Sequence, residues 1–424
     1  MAKELIAFYG DDFTGSVDAL LQFTRRGLRG QLFVGLPADE ELALAAECCD
    51  VVGVAGIARS LPNSELAAEL IPVLKAFSRL GARLIQYKAC STADSSPTIG
   101  SLGRALELGR QLVAALPVPV LFAQPDFGRY TVFGHHFAAE GGTVYRLDRQ
   151  PTMSTHPSTP IYESDLALHL AEQTDLAISH IPFTEYSSAT DIAQKMLQSG
   201  SAAVVLDMFA EEQLRLLGDA ILSFPSPIFA IGSGGLSQAL AEAIVQPGSA
   251  CSTRPAKLAP PGPTLAVSGS RSPQTRRQLA AAKAAGWHVM PLPVGNQASV
   301  SELATATTAL LGDRHSVAIT SQDVNPSGVP DTLSAIAESA ARIIDSAATA
   351  GVVRRIIVCG GDTSSRVIGL LGISSLSIAA NPWGNVALLS VEAPGTPLDG
   401  IELLLKGGQI GDVDLMEKVR LLGA

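Results

Sequence analysis

The sequence is short of charge, of aromatic residues and of cysteine pairs. Of its 424 residues only 17% are charged and 5% are aromatic, with two Trp. Lys and Arg number 30 against 40 Asp and Glu, a formal net charge of −10. Nucleic acid and anionic membrane both demand a basic face, so neither is an expected partner. Cys48, Cys49, Cys90, Cys251 and Cys359 form no C-x-x-C and no paired spacing. Five reduced thiols in a reducing compartment are expected. The seven His include His135-His136 but no Cys/His cluster of metal-site spacing, which argues against structural zinc. No window of about 18 apolar residues is free of charges and breakers, so no membrane span is expected. The opening MAKELIAFYGDD lacks the cationic-then-apolar order of a secretory leader. A soluble cytoplasmic protein follows as the expectation.

What the sequence does have is hydrophobic mass, 47% of residues, in short runs that alternate with Ala/Leu/Glu-rich stretches. ELIAFYG reads as a strand and SVDALLQFTRRG as a helix. GQLFVGL and VVGVAGIA read as further strands, with helical ADEELALAAECC and SELAAELIPVLKAFSRLG after them. Such alternation predicts an α/β fold with mainly parallel sheets flanked by helices. Ligands of such sheets bind at the carboxyl ends of strands. Residues 126–160 break the rhythm, being dense in Gly, His, Arg, Thr and Pro, and read as a long functional loop. The Pro/Gly-rich stretch QPGSACSTRPAKLAPPGP reads as a semi-rigid connection. The division expected is an N-terminal domain over 1–246, a linker over 247–263 and a C-terminal domain over 264–424, with no internal sequence repeat.

Three turns in the C-terminal half carry Gly with Ser, Thr or Lys. The strand TLAVS ends at Ser268-Gly269-Ser270, with Ser272 and Pro273 as expected N-cap and first residue of a helix. The strand IIVC ends at Gly360-Gly361, followed by Asp362, Thr363, Ser364 and Ser365. LLLK ends at Gly407-Gly408 after Lys406. Free amides at a helix start and glycines that admit close approach suit phosphate. An Asp beside phosphates suggests Mg²⁺ or a hydroxyl proton. There is no G-x-x-x-x-G-K-[ST], which excludes a P-loop, and no Rossmann fingerprint.

The N-terminal half has another character. Its first strand ends at Gly10-Asp11-Asp12. Adjacent carboxylates repel, and a substrate hydroxyl network or a cation would relieve them; alternatively one Asp merely caps the next helix. A second run ends in Lys88, Cys90, Ser91, Thr92, Asp94 and Ser95. Lys88 needs an anionic partner if it faces inward, and the hydroxyls suit a polyol, although they also suit a plain turn before Pro97. Arg129, Arg146, Arg149 and His156 stand in the irregular segment, where an Arg fork suits a carboxylate but local ion pairs are the simpler expectation. GSGGLSQAL, from Gly232, is read either as a tight turn or as a phosphate loop.

FYGDDFTGSVDAL, YKACSTADSSPTIGSLG, FGRYTVFGHHFA, YRLDRQPTMSTHPSTP, SGSRSPQT, CGGDTSS and LLLKGGQIG together resemble the four-carbon acid sugar kinase family, from Phe8 to about Asp412. The resemblance implies ATP-dependent phosphorylation of the terminal hydroxyl of a threonate, erythronate or 3-oxo-tetronate. It implies a sugar-acid-binding first domain, a nucleotide-binding second domain and a cleft between them. Substrate contacts would fall to Asp11, Asp12, Lys88, Ser91, Thr92, Asp94 and Arg129. Nucleotide contacts would fall to Ser268, Ser270, Gly360, Gly361, Asp362, Thr363, Gly407 and Gly408. Arg271, Ala93, Thr396 and Asp399 depart from the family's usual residues. The expected catalytic base is Asp12 or its neighbour Asp11, with ATP and Mg²⁺ as cofactors. A homodimer is left open. An aspartate-dependent phosphatase and a non-catalytic sugar-acid sensor are the alternatives.

Overall fold

The structure, a computed structural model, describes residues 4–245, 258–294, 296–322, 331–384 and 386–423, the side chain of Asp362 excepted. The chain forms two compact units, Met1–Thr253 and Arg254–Ala424. Residues 247–257 of the expected linker, Cys251 among them, lie outside the described residues.

The first unit runs β1 (Ile6–Gly10), α1 (Phe13–Arg25), β2 (Gly30–Val34), α2 (Asp39–Cys48), β3 (Val51–Ala55), α3 (Asn63–Arg79), β4 (Leu84–Lys88) and α4 (Leu102–Leu112). It continues through β5 (Val118–Leu121), β6 (Arg129–Val132), β7 (His135–Glu140), β8 (Thr143–Arg146), α5 (Leu166–Ala171), β9 (Ile178–Ile181), α6 (Ala189–Gln198), β10 (Ala203–Leu206), α7 (Gln213–Leu222), β11 (Ile228–Gly232) and α8 (Gly234–Ile244). Its large sheet has the order β2-β3-β1-β4-β11-β5-β10-β9, and the pairings within it are parallel. β1, β3, β4 and β11 are buried at every residue, as strands covered on both faces must be. Ala7, Tyr9, Val52, Val54, Ile85 and Tyr87 share one core with α2 through α5. On the other face Phe8 stacks on Phe23 of α1, centroids 6.2 Å apart.

The irregular segment contains more order than its composition predicts. β6, β7 and β8 form a separate antiparallel sheet in that sequence. Phe133 and Gly134 turn the first hairpin with φ of +50° and +78°, and Gly141 and Gly142 turn the second. Leu147, Met153 and Ile161 pack beneath it with Ala138.

The second unit runs β12 (Thr264–Ser268), α9 (Pro273–Ala284), β13 (His288–Pro291), α10 (Gln297–Gly312), β14 (Val317–Thr320), α11 (Thr332–Thr349), β15 (Arg355–Cys359), α12 (Gly361–Leu370), β16 (Ser375–Trp383), β17 (Val386–Glu392), β18 (Glu402–Lys406) and α13 (Leu415–Leu421). Its strands follow the order β13-β14-β12-β15-β18-β17-β16. The first five are parallel, whereas β17 runs antiparallel to both β18 and β16. Ser272 caps α9 by accepting from the Thr275 amide, with Pro273 at the first position, as its sequence predicts.

Both units open with one winding. The chain lays down a central strand, then one two places away, then the strand between them, and only then crosses to the other side. Strand order therefore reverses between β1 and β4, and again between β12 and β15. At such reversals the loops at the carboxyl ends part and leave a crevice.

Candidate active site

In the first unit the register sets the level of the site. Gly10 pairs with Ala55 and with Lys88, and Lys88 with Gly232. The turns after β1, β3, β4 and β11 thus start side by side. Asp11 is 1% exposed. Asp12 is the N-cap of α1, its Oδ1 accepting from the Gly15 amide at 2.8 Å. The repulsion between the two is relieved by a cation from the chain itself. Arg59 Nη2 donates to Asp11 Oδ1 at 2.7 Å and to Asp12 Oδ1 at 2.8 Å. The Arg59 amide also donates to the Asp11 carbonyl. Burial pushes the Asp11 carboxyl up to about 6, against the pull of Arg59 and with the push of Asp12.

Lys88 does face inward, and its anionic partner is Asp18 of α1, at 3.3 Å. Asp18 in turn accepts from Gln22, which accepts from Gln238 of α8, which donates to Asp126. A Cβ on Gly15 would collide with Asp12 Oδ1 and lie 3.2 Å from Lys88 Nζ and 3.5 Å from Arg59 Nη2. Asp12, Lys88 and Arg59 therefore stand together around one glycine, with Asp11 joined to them through Arg59.

The turn after β4 is clamped from two sides. His136 of β7 donates from Nε2 to the Ser91 carbonyl while its Nδ1 meets Thr131 Oγ1, both at under 3 Å. Burial holds this imidazole down at about 4, so it is neutral near pH 7. His169 Nε2 meets Ser95 Oγ at 2.9 Å. Thr92 Oγ1 lies 3.0 Å from Cys90 Sγ. Asp94 accepts from Thr159 Oγ1, whose other neighbour is His156 Nδ1 at 2.8 Å. Arg129 directs Nη1 to the carbonyls of Phe127, Gly128 and Ala139 and lies 5.0 Å over the Phe127 ring. Its Nε is buried without a partner. Arg146 forms a local pair with Asp148 at 2.6 Å, both side chains partly covered. The glycines from Gly232 resolve as a tight turn: Gly235 has no room for a Cβ beneath the Ala123 carbonyl, and Ser233 caps α8.

The second unit gathers its three turns by the same means. Ser268 pairs with Cys359, and Cys359 with Lys406. The Gly360 amide donates to the Lys406 carbonyl and the Gly269 amide to the Cys359 carbonyl. Gly360 has a φ of +117°, outside the reach of ordinary residues. A Cβ there would lie 3.2 Å from Thr363 Oγ1 and 3.4 Å from the Ser270 amide. The Gly408 carbonyl accepts from Ser272 and, at 2.8 Å, from Thr275. Ser268 Oγ is buried without a partner. Lys406 is 2% exposed and donates only to Thr275 and the Gly407 carbonyl, with no carboxylate partner among the described residues. Burial lowers its pKa. A half-compensated ammonium beneath three amide-rich turns attracts an anion. Gly361, at the start of α12, has nothing within 4 Å of its Cβ position. The Asp362 side chain lies outside the described residues.

Arg59, Asp18, Thr159 and His136 are site neighbours to which motif reading gives no role. Arg59 carries one usable signal, its place just beyond a predicted strand, VVGVAGIA.

Two family models match the chain. Residues 6–240 match the family described as sugar-binding N-terminal domain, and residues 265–416 the nucleotide-binding C-terminal domain. A 3-oxo-isoapionate kinase of Paraburkholderia graminis is 36% identical, over 98% of this chain and 94% of its own. A 3-oxo-tetronate kinase of Pseudomonas fluorescens is 28% identical, over 98% and 96%. The crystal structure of a Salmonella typhimurium LT2 protein shares the fold with a TM-score of 0.81 at 23% identity over 98% of both chains. One from Haemophilus influenzae does so at 0.76 and 21%, over 99% and 100%. The fold and the two domain matches define a sugar-acid phosphotransferase of two α/β units. The chain belongs to the four-carbon acid sugar kinase family.

Proposed function

We propose that this enzyme transfers the γ-phosphoryl group of ATP to the terminal hydroxyl of a 3-oxo sugar acid. One observation carries the reading: the Asp12 carboxylate is fixed through Oδ1, while Oδ2, on a side chain 28% exposed, has no hydrogen-bond partner among the described residues. That oxygen accepts the proton of the attacking hydroxyl. The hydroxyl oxygen bonds to the γ-phosphorus, the bond from phosphorus to the β–γ bridging oxygen breaks, and ADP leaves with its electron pair. Asp11, buried and bound to Arg59, positions the pair and does not itself take the proton.

Lys88 and Arg59 offset the negative charge that gathers here. Ser91, Thr92 and Asp94 recognise hydroxyls of the acid, and Arg129 faces its carboxylate. ATP phosphates rest on Ser268, Ser270, Gly360, Gly361, Asp362, Thr363, Gly407 and Gly408, above the Lys406 charge. Among the described residues no three Asp, Glu, His or Cys side chains gather as metal ligands. Hydroxyls, amides and a lysine suit phosphate oxygens. Mg²⁺ enters as the MgATP substrate. The identity of 36% to a 3-oxo-isoapionate kinase, against 28% to a 3-oxo-tetronate kinase, makes 3-oxo-isoapionate the first acid to try.

The test is ADP release from ATP and Mg²⁺ with 3-oxo-isoapionate, 3-oxo-tetronate, threonate and erythronate. Stoichiometric ADP with one of the 3-oxo acids is expected. ADP no faster than the acid-free background with every acid would reject the reading.

A further inference from the structure

Arg59 has a part in this chemistry that its sequence context does not announce. It sits on the turn after β3, and β3 is the register neighbour of β1. Three contacts hold it there: its amide to the Asp11 carbonyl, and Nη2 to one oxygen of each adjacent carboxylate. The amide of Ala58 beside it donates to Tyr9 Oη at 3.3 Å. The backbone is therefore pinned at Arg59 and at the residue before it. Arg59 Nε and Asp11 Oδ2 are buried without partners. Such a cluster is costly to assemble for stability alone, because each desolvated polar atom left unpaired is a penalty.

Two acids in succession at one strand end would otherwise share a proton or turn apart. A single nitrogen with two hydrogens, placed between them, holds both Oδ1 atoms inward. It leaves Asp12 Oδ2, on a side chain 28% exposed, without a partner among the described residues. We propose that Arg59 is a positioning residue for phosphoryl transfer, aiming the Asp12 carboxylate at the acceptor hydroxyl. The inference rests on the kinase reading above, with Asp12 as base. The groups facing the cluster are Asp11 and Asp12 on the β1–α1 turn, Asp18 on α1, Tyr87 and Lys88 on β4, and Cys90 beyond it. Lys88 is already matched by Asp18, so Arg59 is the cation that serves the aspartate pair directly.

The experiment compares full-length wild type, Arg59→Gln and Arg59→Lys by ADP release with the active 3-oxo acid across pH 5 to 9, together with thermal unfolding. Arg59→Gln should lower kcat by roughly 10²-fold, as loss of a poised base does. KM for ATP should stay within about twofold, and the acid limb of kcat should move to higher pH. Arg59→Lys keeps the charge but cannot reach both carboxylates. It should lower kcat by about tenfold with the acid limb in place. Wild-type kcat in either variant, or a loss in Arg59→Gln with an unmoved acid limb, would overturn the proposal, the second pattern marking a merely structural arginine. If Arg59→Gln does not fold, Arg59→Lys decides alone by its kcat. Wild type that releases no ADP with any acid rejects the kinase reading instead, so the two failures are separate.

Discussion

Gly269 and Thr363, on the turns after β12 and β15, meet so closely that a methyl group on the glycine would collide with the threonine Oγ1. Gly269→Ala must therefore push the two turns apart, with an overpacking cost of about 1–3 kcal/mol. Gly361 differs, since its Cβ position is open. Gly361→Ala should unfold at the wild-type temperature yet bind ATP roughly tenfold more weakly, because the methyl enters space that a phosphate needs. Calorimetric titration with ATP and thermal unfolding of both variants check this. Wild-type affinity in Gly361→Ala would remove the turn from the nucleotide site.

Asp12→Asn separates chemistry from stability. Asn caps a helix about as well as Asp, so the bond from the Gly15 amide survives. The amide cannot take a proton at neutral pH. Turnover should fall roughly 10²–10⁴-fold while the unfolding temperature and the Kd for ATP stay near wild type. Single-turnover phosphorylation and ATP titration measure both.

Asp11 and His136 give the first unit opposing pH responses. The Asp11 carboxyl is raised by burial from an ordinary value of about 3.9 to about 6. Its contribution to stability is full below the unfolded value and is lost as pH rises through about 6. His136 is lowered by burial to about 4 from an ordinary value of about 6.5. Its contribution is full above the unfolded value and is lost as pH falls from about 6.5 toward about 4. Unfolding temperatures against pH should be flatter above pH 5 for Asp11→Asn than for wild type. His136→Gln should lose less on acidification. Parallel curves for wild type and both variants would contradict these assignments.

Arg355 and Glu402 form a buried pair in the second unit, 3% and 5% exposed. Arg355 Nε donates to Glu402 Oε2 at 2.6 Å, and Nη1 reaches the carbonyls of Val419 in α13 and of Leu422 just after it. Removing one partner leaves the other charge stranded. Glu402→Gln should cost about 3–5 kcal/mol, read as a lower denaturation midpoint for the second unit. An unchanged midpoint would mean that the carbonyls alone satisfy the arginine.

Part of the site is legible in the order of residues along the chain. Strand-end position marks Asp11-Asp12, Lys88 and the three glycine turns, because a run of buried apolar residues followed by Gly, Asp or Ser reports its own end. Ser272 and Pro273 likewise read directly as a helix start. Arg59 is not legible: 47 residues separate it from Asp12, and an arginine after a strand looks like any solvated one. Thr159 and His156 at Asp94 are hidden for the same reason. The β6–β8 sheet has the composition of a loop, because short hairpin strands turned by Phe133-Gly134 and Gly141-Gly142 carry too little alternation to stand out.

By itself the sequence determined the alternation of strands and helices outside the β6–β8 sheet, the two α/β units and the residues that end the site's strands, since these depend on neighbours along the chain. Only the tertiary structure decided which strand ends lie side by side. The shared winding of the two units, with its reversals between β1 and β4 and between β12 and β15, comes from lateral pairing between distant segments. That pairing brings Arg59 to the aspartates and Lys406 beneath the glycines. No local pattern encodes it, because hydrogen bonds between parallel strands join backbones whatever their side chains are.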